Sequence, residues 1–217
     1  MSIHNGAPMR APKLRTQVRR EQIAAAALGV ITAGGMRALS IAAVAREVGL
    51  APSAIYRHYR GREAVIDAAL ELIRDRLLGN VAAVRAETSD PVERLRRLLA
   101  RDVRLISENR AFPRVLFSEE VYGGRRERRE RAFAMIRAYL DQIAEICRQG
   151  QLEGRVRRDL DPQTFAMLFI GIVRPAAILG HLSGGRLDPA RHAARAWRVV
   201  RRLLEPTPPA GPRRRRG

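Results

Sequence analysis

SIAAVAREVGLAPSAIYRHYRGRE, residues 40–63, is the stretch on which the reading of this 217-residue chain turns. Ile41, Val44, Ala45 and Val48 recur at i, i+3, i+4 and i+7, so a helix over this span has one apolar face. Ser40 stands just before the pattern, where a side-chain oxygen can cap unpaired N–H groups. Gly49 follows it, where helices commonly end in a left-handed residue. Leu50 turns back toward the core, and Pro52 suits the first turn of a second helix, where its missing N–H is not needed. Ile55 and Tyr59, four apart, can face the first helix, while Ser53, Ala54, Tyr56, Arg57 and His58 lie on the other side. Helix, three-residue turn and helix, with small and polar groups facing outward, is the helix-turn-helix pattern. The outward face of its second helix is suited to a major groove.

The run GLAPSAIYRHYRGREAV resembles the signature of the tetracycline-repressor family, roughly G-V-S-x-x-x-L-Y-x-H-F-x-x-K-E. Gly49, Ile55, Tyr56, His58, Tyr59 and Glu63 match it by identity or close type. Three positions depart from it. Ala51 stands where the family usually has a capping Ser, Tyr59 replaces Phe and brings a hydroxyl that needs a partner, and Arg62 replaces Lys and keeps the charge. The resemblance implies a DNA-facing set of Ser40, Pro52, Ser53, Ala54, Tyr56, Arg57, His58 and Arg62. In that set Tyr56 and Arg62 would meet phosphate, and Ser53, Ala54 and Arg57 would face bases. The basic residues Lys13, Arg15, Arg19 and Arg20 would lie near the DNA backbone.

Composition agrees with an anionic partner. Lys+Arg 41 against Asp+Glu 22 gives a formal net charge of +19. Nearly all the positive charge is Arg, which a GC-rich genome also produces, so the motif carries more weight than the charge. The single cysteine, Cys147, excludes an intramolecular disulfide and a cysteine-based zinc site. Residues 10–35 imitate a secretory signal, but the apolar run is mostly Ala and leads directly into the helix-turn-helix. The apolar run 165–182 is interrupted by Arg174, Pro175 and His181, so it reads as a core or interface helix and no membrane partner is expected. The expected location is cytoplasmic.

Outward from the motif, every periodic segment has helical spacing, and no stretch alternates with period two. The expected fold is all-α with about nine helices: a DNA-binding domain over 13–61, a ligand-binding and dimerisation domain over 62–205, and disordered tails at 1–12 and 206–217. A first helix is expected over 16–33, ended by Gly34-Gly35. A long helix from about Arg62 to Arg85 follows the motif, and Thr88-Ser89-Asp90-Pro91 opens another with Leu95, Leu98, Leu99, Val103 and Ile106 on its inner face. The segment 112–124 is short and aromatic. The Arg/Glu-rich run from Arg125 to Arg131 reads as a solvated face with i,i+4 ion pairs. Helices over 163–182 and from 188 close the chain, before a proline-rich tail ending in four arginines and a glycine.

There is no glycine-rich phosphate loop, no H-E-x-x-H and no nucleophile elbow. The four histidines have no ligand-like spacing, so catalysis, a metal and a cofactor are not expected. One recognition helix reads only a few base pairs, which implies a homodimer on a near-palindromic duplex operator. The resemblance puts the dimer interface on the last two helices, with Phe165, Phe169, Leu179 and Trp197 supplying area. It also implies a repressor released from DNA when a small-molecule effector in the second domain shifts the long helix after the motif. The effector candidates are Phe112, Phe117, Tyr122, Phe133 and Tyr139 as an apolar wall, with Arg174 and His181 as a polar end; the alternative is that Arg174 pairs with a carboxylate across the dimer and the aromatics are core. The competing reading, favoured by the charge and the basic tail, is a ligand-independent architectural DNA-binding protein.

Overall fold

The structure, a computed structural model, describes the backbone of residues 11–183 and 186–206. Side chains are described over the same residues except 11–15, Tyr122, Arg174, Ala176, Ala177 and 180–182. Both tails expected to be disordered, 1–12 and 206–217, fall almost wholly outside this range. Among the described residues there is no strand, in accord with the all-α expectation, and there are ten α-helices against the nine or so expected. They are α1 (Ala11–Gly34), α2 (Ile41–Val48), α3 (Pro52–Tyr56), α4 (Arg62–Glu87) and α5 (Pro91–Glu108). Then come α6 (Ala111–Leu116), α7 (Glu119–Tyr122), α8 (Arg126–Leu152), α9 (Pro162–Leu182) and α10 (Pro189–Leu204).

The chain divides into two compact units. The first holds residues up to Arg76 together with 109–133; the second holds 77–108 and the residues from Ala134 onward. This partition differs from a boundary at Gly61, because the start of α4 is stitched to α6–α8 by arginines.

In the first unit, α1 buries Ile23, Ala27 and Ile31 completely, and α2 and α6 pack on it. The helix ends at Gly34, and Gly35 takes φ 74, a left-handed conformation that costs a glycine little. The Arg114 guanidinium of α6 donates to the last carbonyls of α1, at 3.0 Å from Ile31 O and 2.8 Å from Thr32 O, and places a cation at the negative helix end.

At the start of α8 the solvated reading holds for Arg126, which pairs with Glu130 at 2.7 Å, but not for Arg128. Arg128 is 1% exposed. Its Nε donates to Asp67 Oδ1 at 2.7 Å, its Nη1 to Glu63 Oε2 at 2.8 Å, and its Nη2 to the Glu63 carbonyl at 3.1 Å. Local periodicity could not separate it from its exposed neighbours, because the acids that bury it come from α4, some sixty residues away in sequence.

In the second unit, α5 opens on Asp90, whose carboxylate accepts from the Val92 N–H at 2.9 Å. Leu95, Leu98 and Leu99 are fully buried, and both α9 and α10 pack against α5. The aromatics of α9 correct the expected interface. Phe165 and Phe169 are buried within the protomer, with ring centroids 6.0 Å apart, and supply core rather than dimer surface. A helix apolar all round does not reveal from its pattern which side faces its own protomer. Among the described residues of α9 the large exposed apolar ones are Met167, Leu168, Ile178 and Leu179, so Leu179 alone of the α9 candidates stays outside. Trp197 is half-buried and lines the groove between α5 and α10, while Val199 and Leu203 are the exposed apolar residues of α10.

Candidate nucleic-acid interface

Each turn of residues 40–63 has a local cause. Ser40 has extended backbone, and its hydroxyl accepts from the Ala43 N–H at 3.1 Å. Gly49, at φ 71, closes α2, and the Leu50 N–H reaches the Ala45 carbonyl at 2.8 Å. Ala51 occupies the cap position of α3 with no side chain to cap, and Pro52 takes the first helical place, where no N–H is left over. Ile55 is fully buried and Tyr59 nearly so, and they fasten the short α3 against the domain.

The extra hydroxyl of Tyr59 has a partner: it donates to the Arg20 carbonyl at 3.1 Å. The Arg20 guanidinium lies 4.7 Å from the Tyr59 ring centroid and donates to the His58 carbonyl at 3.3 Å. Burial raises the Tyr59 hydroxyl above its ordinary pKa, partly offset by the Arg20 charge, so it stays a neutral donor. Arg20, read as a DNA-facing arm residue, is therefore part of the brace that holds the end of the motif to α1.

The outward face is open. Pro52, Ser53, Tyr56 and Arg57 are exposed, with Tyr56 at 57%, and Ala54 and His58 are half-buried beside them. Arg37, Arg46 and Arg60, which the sequence reading did not single out, are also exposed. Among the described residues their guanidiniums have no carboxylate partner. Their signal was available as basic residues flanking each helix of the motif. The arrangement offers an aromatic hydroxyl and small side chains on α3, with exposed cations before, within and after the helices of the motif, suited to phosphate and base edges.

Arg62 departs from its expected role as a phosphate contact. Its Nε donates to Leu39 O at 2.9 Å, and its Nη2 to Met36 O at 3.0 Å and to Glu120 Oε1 at 3.0 Å. With its Nη1 also donating to Glu63 Oε1 at 3.3 Å, a guanidinium committed to four acceptors of its own unit braces the loop before α2 against α4 and α7. The Lys-to-Arg change supplies the planar fork such a brace needs.

The described effector candidates are divided between the two units. Phe112 is buried in the first unit with the Arg76 guanidinium 5.8 Å from its ring centroid, and Phe117 and Phe133 are exposed, Phe133 at 66%. Aromatic content shows apolar area but not which unit a residue joins. Tyr139 lies in the second unit, 3% exposed, with its hydroxyl donating to Asp102. The side chains of Tyr122, Arg174 and His181 lie outside the described residues.

The sequence reading overlooked Asp102. It is 3% exposed and also accepts from the Asn80 amide at 3.1 Å. Its signal was its spacing, since it sits i+7, i+4 and i+3 from Leu95, Leu98 and Leu99 on the apolar face of α5. Burial pushes its carboxyl up to about 7, against the two donors. Among the described residues no group of His, Cys, Asp and Glu could hold a metal ion, and no helix is long and apolar enough to cross a membrane.

The sequence matches the family model described as bacterial regulatory proteins of the tetR family over residues 23–69. It matches the model described as the tetracyclin repressor-like C-terminal domain over residues 88–204. It is 25% identical over 186 residues to the nucleoid occlusion factor SlmA of Shewanella halifaxensis, covering 86% of this chain and 94% of that protein. The fold is similar to that of a TetR-family transcriptional regulator from Rhodococcus sp., with TM-score 0.72, 24% identity, and coverage of 87% of this chain and 100% of the other. It is also similar to the transcriptional regulator FadR from Bacillus subtilis, solved in complex with stearoyl-CoA. There the TM-score is 0.70 at 16% identity, covering 85% of this chain and 98% of that one.

Proposed function

Because the chain belongs to the TetR family of bacterial regulatory proteins, we propose that it is a dimeric repressor that leaves its operator when a small molecule binds its second unit. The observation that carries the DNA-binding part is the motif itself: a capped α2, a left-handed Gly49 and a short α3 held by Ile55 and Tyr59, with Tyr56 and Arg57 turned to solvent. Arg57 reads a base and Tyr56 meets phosphate. Selection from a pool of random duplexes should recover a near-palindrome bound at least about 10³-fold more tightly than random DNA. Arg57→Ala should relax the preference at one base pair per half-site, costing about 1–3 kcal/mol there. Uniform weakening across all operator variants would reject Arg57 as a base reader.

Dimerisation is supported by the apolar residues that α9 and α10 leave uncovered. Met167, Leu168, Ile178 and Leu179 fall on one face of α9, and Val199 and Leu203 are exposed on α10. Leu179→Arg combined with Val199→Arg should give helical monomers in sedimentation that no longer bind the operator. A dimer of unchanged strength would refute this interface.

For release, the effector must bind more tightly to the spacing of recognition helices that the operator disfavours. An acyl-CoA is the first ligand class to assay, since the structurally similar FadR was solved with stearoyl-CoA. The architectural reading draws support from the similarity to a nucleoid occlusion factor. A specificity ratio near one would favour it.

A further inference from the structure

Several arginines of α5 and α8 pair with acids of their own helix, and those of α10 have none to pair with. On α5, Arg96 and Arg97 pair with Glu93 at 2.6 and 2.7 Å. On α8, Arg126 pairs with Glu130 at 2.7 Å and Arg148 with Glu145 at 2.9 Å. Helix α10 carries Arg191, Arg195, Arg198, Arg201 and Arg202 and no acidic residue. All five are exposed, and among the described residues none has a carboxylate partner. Arg191, Arg195, Arg198 and Arg202 are spaced i, i+4, i+7 and i+11, which aligns them in one stripe about 16 Å long. The opposite side of the helix, with Ala193, Val200 and Leu204, is buried.

A partner subunit docked through α9 and α10 would not neutralise the stripe. Neither Pro162–Leu182 nor Pro189–Leu204 contains an Asp or Glu, so an interface built from these helices offers the arginines no carboxylate. Four unpaired like charges on one helix face repel one another, and an external polyanion would relieve that repulsion. We propose that the α10 stripe is a second, sequence-independent DNA-binding surface that grips the phosphodiester backbone of a duplex. Guanidinium forks match phosphate oxygens, and a duplex presents one charge per about 1.7 Å of axis, dense enough to engage all four. An anionic membrane fits less well, because Val200 and Leu204 are buried in the protein and the two large apolar residues that α10 exposes, Val199 and Leu203, are those assigned to the dimer face.

The test uses the full chain and a duplex of random sequence, with fluorescence anisotropy followed across a salt series. Arg191→Ala/Arg195→Ala/Arg198→Ala/Arg202→Ala should lower the log–log salt slope by about 3 to 4. A control quadruple with the same charge change at paired positions, Arg96→Ala/Arg97→Ala/Arg126→Ala/Arg148→Ala, should lower it by less than about one. Equal loss in both variants would assign the effect to net charge and overturn the proposal, as would an unchanged slope in the stripe variant. Loss of binding to phosphatidylglycerol vesicles with DNA binding intact would overturn it in favour of a membrane. If the stripe quadruple loses helicity, Arg195→Gln/Arg198→Gln should give about half the change in slope on a folded chain, and no change would refute the stripe.

Discussion

Replacing Arg128 with alanine is expected to lower the stability of the first unit by about 3 kcal/mol, with a fall in Tm on the order of 15 °C for about 100 residues. The guanidinium is buried, and burial by itself disfavours its charge; Asp67 and Glu63 outweigh that and hold its pKa above the ordinary arginine value. Removing the cation takes the buried fork away from Asp67 and Glu63, which keep Arg131 at 3.0 Å and Arg62 at 3.3 Å. What is lost is therefore the buried pairing, and each acid keeps one partly exposed cation. Adding Asp67→Asn to the Arg128→Ala chain should restore little of the loss, because Asp67 still has Arg131 as a partner at 3.0 Å. Thermal unfolding monitored by circular dichroism decides the matter. A Tm change under about 3 °C would mean that Arg128 is a solvated residue after all.

Asp102→Asn is expected to stabilise the second unit, increasingly so as pH rises. The folded carboxyl titrates at about 7 against an ordinary 3.8, because burial disfavours its charge more than Tyr139 and Asn80 favour it. A raised carboxyl pKa means that the native state holds the proton when the unfolded chain has already lost it. The wild type accordingly loses stability from about pH 4 up to about pH 7, and the loss stays at its full value above that. Asparagine has the same shape and nothing to titrate. The stability gap between variant and wild type should widen by about 2 to 3 kcal/mol from pH 5 to pH 8 and then level off. Urea titrations of both chains at pH 5, 6, 7 and 8 measure the gap directly. A gap that stays constant, or narrows as pH rises, would show that Asp102 is ionised throughout.

The parts of this protein whose causes are local were legible in the order of its residues. Ser40, Gly49 and Pro52 act within a few residues of themselves, through a cap, a left-handed turn and a missing N–H, and so the helix-turn-helix could be read from spacing. The all-α class followed from the 3.6-residue period, which needs no knowledge of neighbours. Whatever depends on partners distant in the chain was decided only by tertiary structure. Arg62 and Arg128 sit in segments that read as DNA-facing or solvated, yet carbonyls and carboxylates from other helices enclose them. Phe165 and Phe169 were legible as apolar, but the choice between core and interface was made by α5 packing on one side of α9. Periodicity specifies that a helix has faces, and the face turned inward is settled by whichever helix arrives to cover it.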